Sequence, residues 1–339
     1  MAPLEKKTVP FAHHDVPLHV DIYDAPDYPA DSPIVLFFHS GGLVGGSRSM
    51  IPPWLIQVCH ARKWPLLSPS YRLLPQASGH DLLLDAHSAY TFASSYPHPR
   101  PIILAGASAG FLPACLLAHN PPPSSRPPLA LLSITGIPTF HHPFFTSSRL
   151  LPPDPIPEDD VAAFLSRSKD DVTVGRHPWD RAAVFRLASL LPSGARNPEF
   201  DPATAPLPEG NDGPAERGLL YDYFVYENLF PDLIGGREVD RGFDAPEAEG
   251  LDKWPVTVMI QGDADDDVDP AVCRDVAEKL GGRAMLFVAE GKGHLFERSK
   301  FLEEVEADEG LLAVRRAMEA LDGVVKGVLG RRRGGLGDW

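Results

Sequence analysis

Gly106-Ala107-Ser108-Ala109-Gly110 joins an apolar run, Pro101–Ala105, to a stretch of helical pattern that reaches about His119. A serine on so sharp a strand-to-helix turn projects its hydroxyl towards a base at the top of a sheet. The turn crowds backbone against backbone, and glycines two residues to either side relieve the crowding. The first N–H groups of the following helix then face the reacting centre, where they suit a developing negative charge. The chemistry this serves is nucleophilic attack by Ser108 on a carbonyl. Taken alone, G-x-S-x-G also fits a turn of small residues; the strand–turn–helix context carries the functional reading.

That chemistry needs N–H donors, an acid and a base. His39-Ser40-Gly41-Gly42 ends another apolar run, Pro33–His39, and glycines there let the backbone approach a substrate with its N–H groups inward. Gly41 and Gly42 are the expected donors, with the Ala109 N–H as a third. Downstream, Gly262-Asp263-Ala264-Asp265-Asp266-Asp267-Val268 follows the run Val256–Gln261. The glycine ends a strand, and a carboxylate three residues on can turn towards a base, which favours Asp265 and leaves Asp263 as competitor. The D-x-D-x-D spacing also resembles the start of a calcium-binding loop. Val268 stands where that loop needs glycine and Arg274 where it needs a bidentate glutamate, so the calcium reading fails. Gly291-Lys292-Gly293-His294 then places a histidine on a glycine-flanked loop after the run Ala284–Ala289, and His294 is the expected base. The order serine, aspartate, histidine is the one this kind of turn calls for.

The other ionisable residues point to no second chemistry. His13-His14 and His141-His142 have no companion pair at metal-ligand spacing, and no H-E-x-x-H occurs, so neither metal nor cofactor is expected. Cys59, Cys115 and Cys273 are three and far apart, which builds neither a disulfide framework nor a zinc site. With 46 acidic against 31 basic residues the formal charge is −15. Such a surface repels nucleic acid and anionic membranes and weakly favours neutral or cationic substrates. The basic run Arg331-Arg332-Arg333 sits in a glycine-rich end and reads as solvated. No apolar leader opens the chain and no run of 18 apolar residues occurs, so a cytoplasmic location without a membrane span is expected.

The elements that must position these residues alternate in kind. Strands are expected near 6–12 and 16–23, at 33–39, 65–69, 101–105 and 129–134, with helices at 52–62, 80–95 and up to His119. The alternation resumes with strands at 256–261 and 284–289 and helices at 270–281 and 299–328. The pattern predicts an α/β fold with a mostly parallel sheet and helices on both faces. Between its halves lie about 110 residues without a clear buried strand, too many for a loop. They are rich in proline and carry helical segments near 158–168, 178–191 and 215–230. The expected organisation is a core of residues 1–137 and 251–339 with an inserted helical lid, 138–250. In that lid Tyr223 and Phe224 fall on an apolar stripe with Leu220 and Phe230. The stripe is either lid core or, if it faces Ser108, the wall of a substrate pocket.

Taken together, HSGG (39–42), YRLLPQ (71–76), GASAG (106–110), the Gly262-x-x-Asp265 step and GKGHLF (291–296) resemble the hormone-sensitive-lipase-like branch of the α/β-hydrolases. The resemblance spans about residues 30–137 and 255–325. It implies an eight-stranded sheet, carboxylesterase activity without metal or cofactor, and Ser108, Asp265 and His294 as triad. It also implies that Tyr71 and Arg72 help hold the loop of Gly41 and Gly42. Four residues depart from the branch's usual pattern: Ser40 for the first loop glycine, Ser70 for aspartate, Gln76 for glutamate and Ala107 for an acidic residue. The expected function is hydrolysis of a small or medium apolar ester through an acyl-enzyme. A lactonase or a tailoring hydrolase of a polyketide-like metabolite is an alternative of the same chemistry. A non-catalytic receptor of the same build would keep the pocket and lose the base, which the presence of His294 opposes. Oligomeric state is not legible in the sequence.

Overall fold

The computed structural model describes residues 2–146, 155–178, 180–243 and 253–333. Among these, the strands in chain order are β1 (Glu5–His14), β2 (Val16–Asp24), β3 (Ile34–Phe38), β4 (Gly46–Ser47), β5 (Leu66–Pro69), β6 (Ile102–Ala107), β7 (Ala130–Ile134), β8 (Arg176–His177), β9 (Thr257–Gly262) and β10 (Ala284–Ala289). Eight of them form one sheet in the order β1-β2-β5-β3-β6-β7-β9-β10, while β4 and β8 pair apart. The β1–β2 and β2–β5 pairings are antiparallel and the rest are parallel. The register sets Ile34 beside Ile102, Ile103 beside Ala130 and Leu131 beside Thr257. The carboxyl ends of β3, β6 and β9 therefore come out on one edge.

The uninterrupted apolar strands follow from burial on both faces. In β3, Ile34, Leu36 and Phe38 enter one hydrophobic cluster and Val35 and Phe37 the other, as a period of two requires. Helices α1 (Pro53–Arg62), α2 (Gly79–Ser95) and α3 (Phe111–His119) come from the first half of the chain. Helix α2 starts on a capping box in which the Ser78 side chain accepts from the Asp81 N–H and Asp81 accepts from the Ser78 N–H. Short helices α4 (Glu158–Val161), α5 (Leu220–Tyr226) and α6 (Phe230–Ile234) lie between β7 and β9. Helices α7 (Pro270–Leu280), α8 (Leu302–Ala307) and α9 (Leu312–Arg333) complete the layers.

Three expectations are corrected. The helix expected over 299–328 is two, α8 and α9, because the Asp308 side chain accepts from the Gly310 N–H and starts a new turn. The segment near 178–191 is not a helix but two single 3-10 turns, Arg181–Ala183 and Leu187–Ser189. Its backbone groups are used elsewhere. The Phe185 N–H donates to the Ser49 carbonyl at 2.8 Å. The buried Arg186 guanidinium donates to the carbonyls of Arg181, Val184, Pro202 and Pro206. Near 158–168 only four residues are α-helical. The boundary expected at 250/251 lies outside the described residues. Among the described residues, those on the insert side of Ile137 do not build a core of their own: Phe140, Phe145, Phe224, Phe230 and Ile234 share a cluster with α2 and α3.

Candidate active site

Ser108 follows β6 directly and has φ of +52°, a conformation that a side chain adopts only under constraint. The flanking glycines show the constraint. A Cβ at Gly106 would run into the Gly110 carbonyl, and one at Gly110 into the carbonyls of Phe38 and His39. The turn carrying Ser108 is thus pressed on itself and on the end of β3. The Ser108 carbonyl accepts from the Ile137 N–H at 2.9 Å, fixing the turn from the β7 side.

The three residues expected as a triad meet. Ser108 Oγ lies 2.9 Å from His294 Nε2, and His294 Nδ1 lies 2.8 Å from Asp265 Oδ2. The Asp265 side chain is fully buried. Its Oδ1 accepts from the N–H groups of Asp267 and Val268 at 3.1 and 2.9 Å, and its Oδ2 also from Gln261 Nε2 at 2.9 Å. These donors fix the direction of the carboxylate. Asp263, the competitor, is exposed and instead accepts from the Gly291 N–H at 2.6 Å, tying the acid loop to the base loop. Burial alone would lower the His294 pKa. The hydrogen bond and charge of Asp265, with the charges of Asp267 and Glu297, outweigh it and hold the imidazole above its ordinary value. Glu297, fully buried three residues on, has its carboxyl pushed up to about 7 by that burial.

The loop after β3 is equally constrained. Gly41 has φ of +133° and Gly42 of +62°. The Gly41 carbonyl accepts from the N–H groups of Val44 and Gly45 at 3.0 and 2.8 Å, closing a tight turn. A Cβ at Gly42 would strike the ring of Tyr221. Ser40 and Ala109 are buried, and Ala109 follows Ser108 into the α3 side of the turn. Tyr71 holds this loop: its hydroxyl donates to the His39 carbonyl at 2.7 Å and its ring stacks on the His39 imidazole at 4.3 Å. Burial pushes the His39 pKa down to about 4. Arg72 does not hold the loop. Its guanidinium binds Asp85, Asp81 and Asp15, anchoring the start of α2 and the β1–β2 turn.

Ser108, His294 and Gly42 line a cavity of about 290 Å³, walled by Leu219, Tyr221, Asp222 and Asp267. Tyr223 and Phe224 are not among its lining residues. Phe224 packs edge-on against Phe230 at 5.7 Å, and Phe230 stacks on Phe140 at 4.3 Å. Helical phase is the reason: the turn of Ala215, Gly218, Leu219 and Asp222 faces the cavity, so Leu220 and Phe224 face the core. Tyr221, beside the expected stripe, is the aromatic in the cavity, and its hydroxyl donates to the Asp267 carbonyl at 3.2 Å. Sequence reasoning also missed Gln261, a single polar residue ending an apolar strand, and Arg217, for which no pattern gave a signal. His142 pairs with Asp275 at 3.2 Å and His14 with Ser88 at 2.9 Å, each away from this site.

A mostly parallel eight-stranded sheet, with the serine on a strained turn after a central strand and acid and base on later strand ends, decides the architecture. This is the α/β-hydrolase fold. Residues 35–126 match a family described by that fold. An α/β-hydrolase superfamily protein of Enterococcus faecalis superposes with a TM-score of 0.66 at 17% identity, covering 95% of this chain and 99% of its own. Carboxyl esterase 2 of the mycorrhizal fungus Tuber melanosporum superposes with a TM-score of 0.56 at 14% identity, covering 96% and 88%. In sequence, the "Probable carboxylesterase M8" of Phoma sp. is 28% identical over 189 residues. That alignment takes in 48% of this chain and 57% of the Phoma protein, so the chain spans little more than half of that relative's length. The likenesses to an α/β-hydrolase extend through the region between β7 and β9, since the structural matches cover nearly the whole chain. No helix among the described residues is long and apolar enough to cross a membrane.

Proposed function

We propose that the protein is a serine carboxylesterase that cleaves small or medium, largely apolar esters through an acyl-enzyme. The observation that carries this reading is the hydrogen-bonded line from Ser108 Oγ through His294 to Asp265, at 2.9 and 2.8 Å. The named esterases among the relatives support it. In this reading His294 Nε2 takes the hydroxyl proton as Ser108 Oγ attacks the ester carbonyl. The tetrahedral oxyanion is met by the N–H groups of Ala109, Gly41 and Gly42. The imidazolium, stabilised by Asp265, then passes its proton to the leaving alcohol. Water, activated by His294 in turn, attacks the acyl-enzyme and releases the acid and free Ser108.

The insert acts as a lid over this site and gives the pocket its wall, with Tyr221 and Leu219 as the apolar contacts. A cavity of about 290 Å³ suits a small acyl or alcohol group. Asp222 and Asp267 at its edge disfavour anionic substrates. The test is labelling of the intact chain by a fluorophosphonate together with turnover of p-nitrophenyl acetate and butyrate. The expected result is stoichiometric adduct on Ser108 and ester turnover. Absence of both in folded protein would remove the reading.

A further inference from the structure

We propose that Arg217 and Gln76 act as a clamp between the insert and the oxyanion loop, and are positioning residues for acyl transfer. The proposal rests on the reading of Gly41 and Gly42 as oxyanion donors.

Arg217 belongs to the 3-10 turn Ala215–Leu219 of the insert and is 7% exposed. Its Nε donates to the Val44 carbonyl at 2.8 Å. Its Nη2 donates to the Leu74 carbonyl at 2.8 Å and to Gln76 Oε1 at 2.6 Å. The Leu74 N–H donates in turn to the Leu43 carbonyl at 2.9 Å. The guanidinium therefore grips the loop of Gly41 and Gly42 at Val44 and at the segment that backs it. No carboxylate hydrogen-bonds to Arg217 among the described residues. Burying a cation on neutral acceptors alone is costly, and the burial draws its pKa down to about 10. A neutral residue packed there would avoid that cost. What the guanidinium supplies instead is three directed donors on two loops at once.

Gln76 completes the bridge. Its Nε2 donates to the carbonyls of Phe164 and Ser166, in the insert, at 2.8 and 2.5 Å, while its Oε1 accepts from Arg217. Only an amide of this length can accept from the guanidinium and donate to two carbonyls together. A glutamate, the residue the resemblance leads one to expect here, would set its second oxygen against two carbonyl oxygens. The departure at 76 and the acid-free arginine at 217 are thus two halves of one arrangement. The same turn presents Ala215, Gly218 and Leu219 to the cavity, so the clamp fixes the pocket wall and the oxyanion donors relative to each other.

The test uses the full chain with Arg217→Met, Gln76→Glu, Gln76→Leu and the Arg217→Met/Gln76→Leu double variant. On p-nitrophenyl butyrate, Arg217→Met should lower kcat about 10- to 100-fold with KM within threefold, as for displaced oxyanion donors. An alkyl trifluoromethyl ketone forms a tetrahedral adduct with the serine, and its inhibition constant should rise by the same factor. Gln76→Glu should lose more than Gln76→Leu, and the double variant should be no worse than Arg217→Met. Hydrogen exchange at residues 41–46 should quicken in each variant. A raised KM with kcat kept, or a fall in kcat with ketone affinity kept, would overturn the clamp. So would additive losses in the double variant. If Arg217→Met fails to fold, the two Gln76 variants carry the same readouts. Exchange at 41–46 is read without any turnover. Unchanged exchange therefore overturns the clamp even in an active enzyme, whereas an unlabelled Ser108 in the wild type overturns the esterase reading itself.

Discussion

At the carboxyl ends of β3, β6, β9 and β10 the backbone does the positioning. Ser108, Gly41, Gly42 and Leu295 sit at positive φ, glycines touch carbonyls where no Cβ could stand, and short N–H bonds close each turn. In the region between β7 and β9 side chains do it instead. Arg186 donates to carbonyls within the region, Gln76 reaches in from the core to the Phe164 carbonyl, Arg217 reaches out to the Leu74 carbonyl, and a stack of Phe140, Phe145, Phe224 and Phe230 supplies the packing. Backbone constraint gives a precise but unforgiving placement of reacting atoms. Side-chain anchoring tolerates irregular chain and leaves the cavity wall free to differ.

The sharpest way to separate the two regions is to remove the nucleophile. Ser108→Ala should reduce kcat by about 10⁶ while the melting temperature stays within a few degrees, measured by ester turnover and calorimetry. Substantial residual turnover would show that the strained turn serves only folding. Next comes the acid. Asp265→Asn should lower kcat by about 10⁴ through loss of the correct tautomer and of imidazolium stabilisation. Asp263→Asn, which touches only the Gly291 N–H, should cost less than tenfold. Equal losses would mean that the tie between the two loops matters as much as the acid.

For the insert the expected damage is to stability. Phe230→Ala should destabilise by about 3–5 kcal/mol, as truncation of a fully buried aromatic does. Because its neighbours belong to the same cluster as α2 and α3, denaturation followed by fluorescence and by circular dichroism should give one coincident transition. Two transitions would make the insert a unit apart.

A smaller effect concerns pH. His294 must be unprotonated to act as base, and its pKa is held above the ordinary value by Asp265 first among its charged partners. The acid limb of kcat/KM should therefore rise with pH and have its midpoint above about 6.5. A midpoint near 4 would belong to a carboxylate and exclude the mechanism. The smallest effect is the charge of Asp267, which also raises the His294 pKa. Asp267→Asn removes negative potential, so the midpoint should fall, by about a few tenths of a pH unit and less at high salt.

The strand-end loops were legible because their constraints are written in residue types. Glycines two residues from a serine, a glycine ending a strand three residues before a carboxylate, and a histidine between glycines each admit few backbone solutions. Even there the spacing from Gly262 favoured Asp265 but kept Asp263 as competitor, since two carboxylates of one loop differ only in which direction they turn. The insert was legible as an interruption and not as a structure. Its apolar stripe is divided between two short helices, α5 and α6, and the aromatic that faces the cavity is Tyr221, three residues before Phe224. The segment near 178–191 has helical spacing of apolar residues, yet its backbone is committed to Ser49 and to the Arg186 guanidinium. Side-chain-to-carbonyl bonds and a distant backbone partner of that kind leave no periodic trace. Arg72 carries the same lesson within the core, for its three carboxylate partners come from two separate segments.

The aromatic cluster that the insert shares with α2 and α3 also bears on how such a protein can change. A cap with a core of its own can be exchanged or deleted as a cassette, leaving the platform beneath it intact. Here excision between Ile137 and Trp254 would lay open one face of α2 and α3 and strip Arg217 from the loop it grips. New specificity would have to arrive by substitution on the cavity-facing turn, at Ala215, Gly218, Leu219 and Tyr221, and not by transplanting a foreign lid.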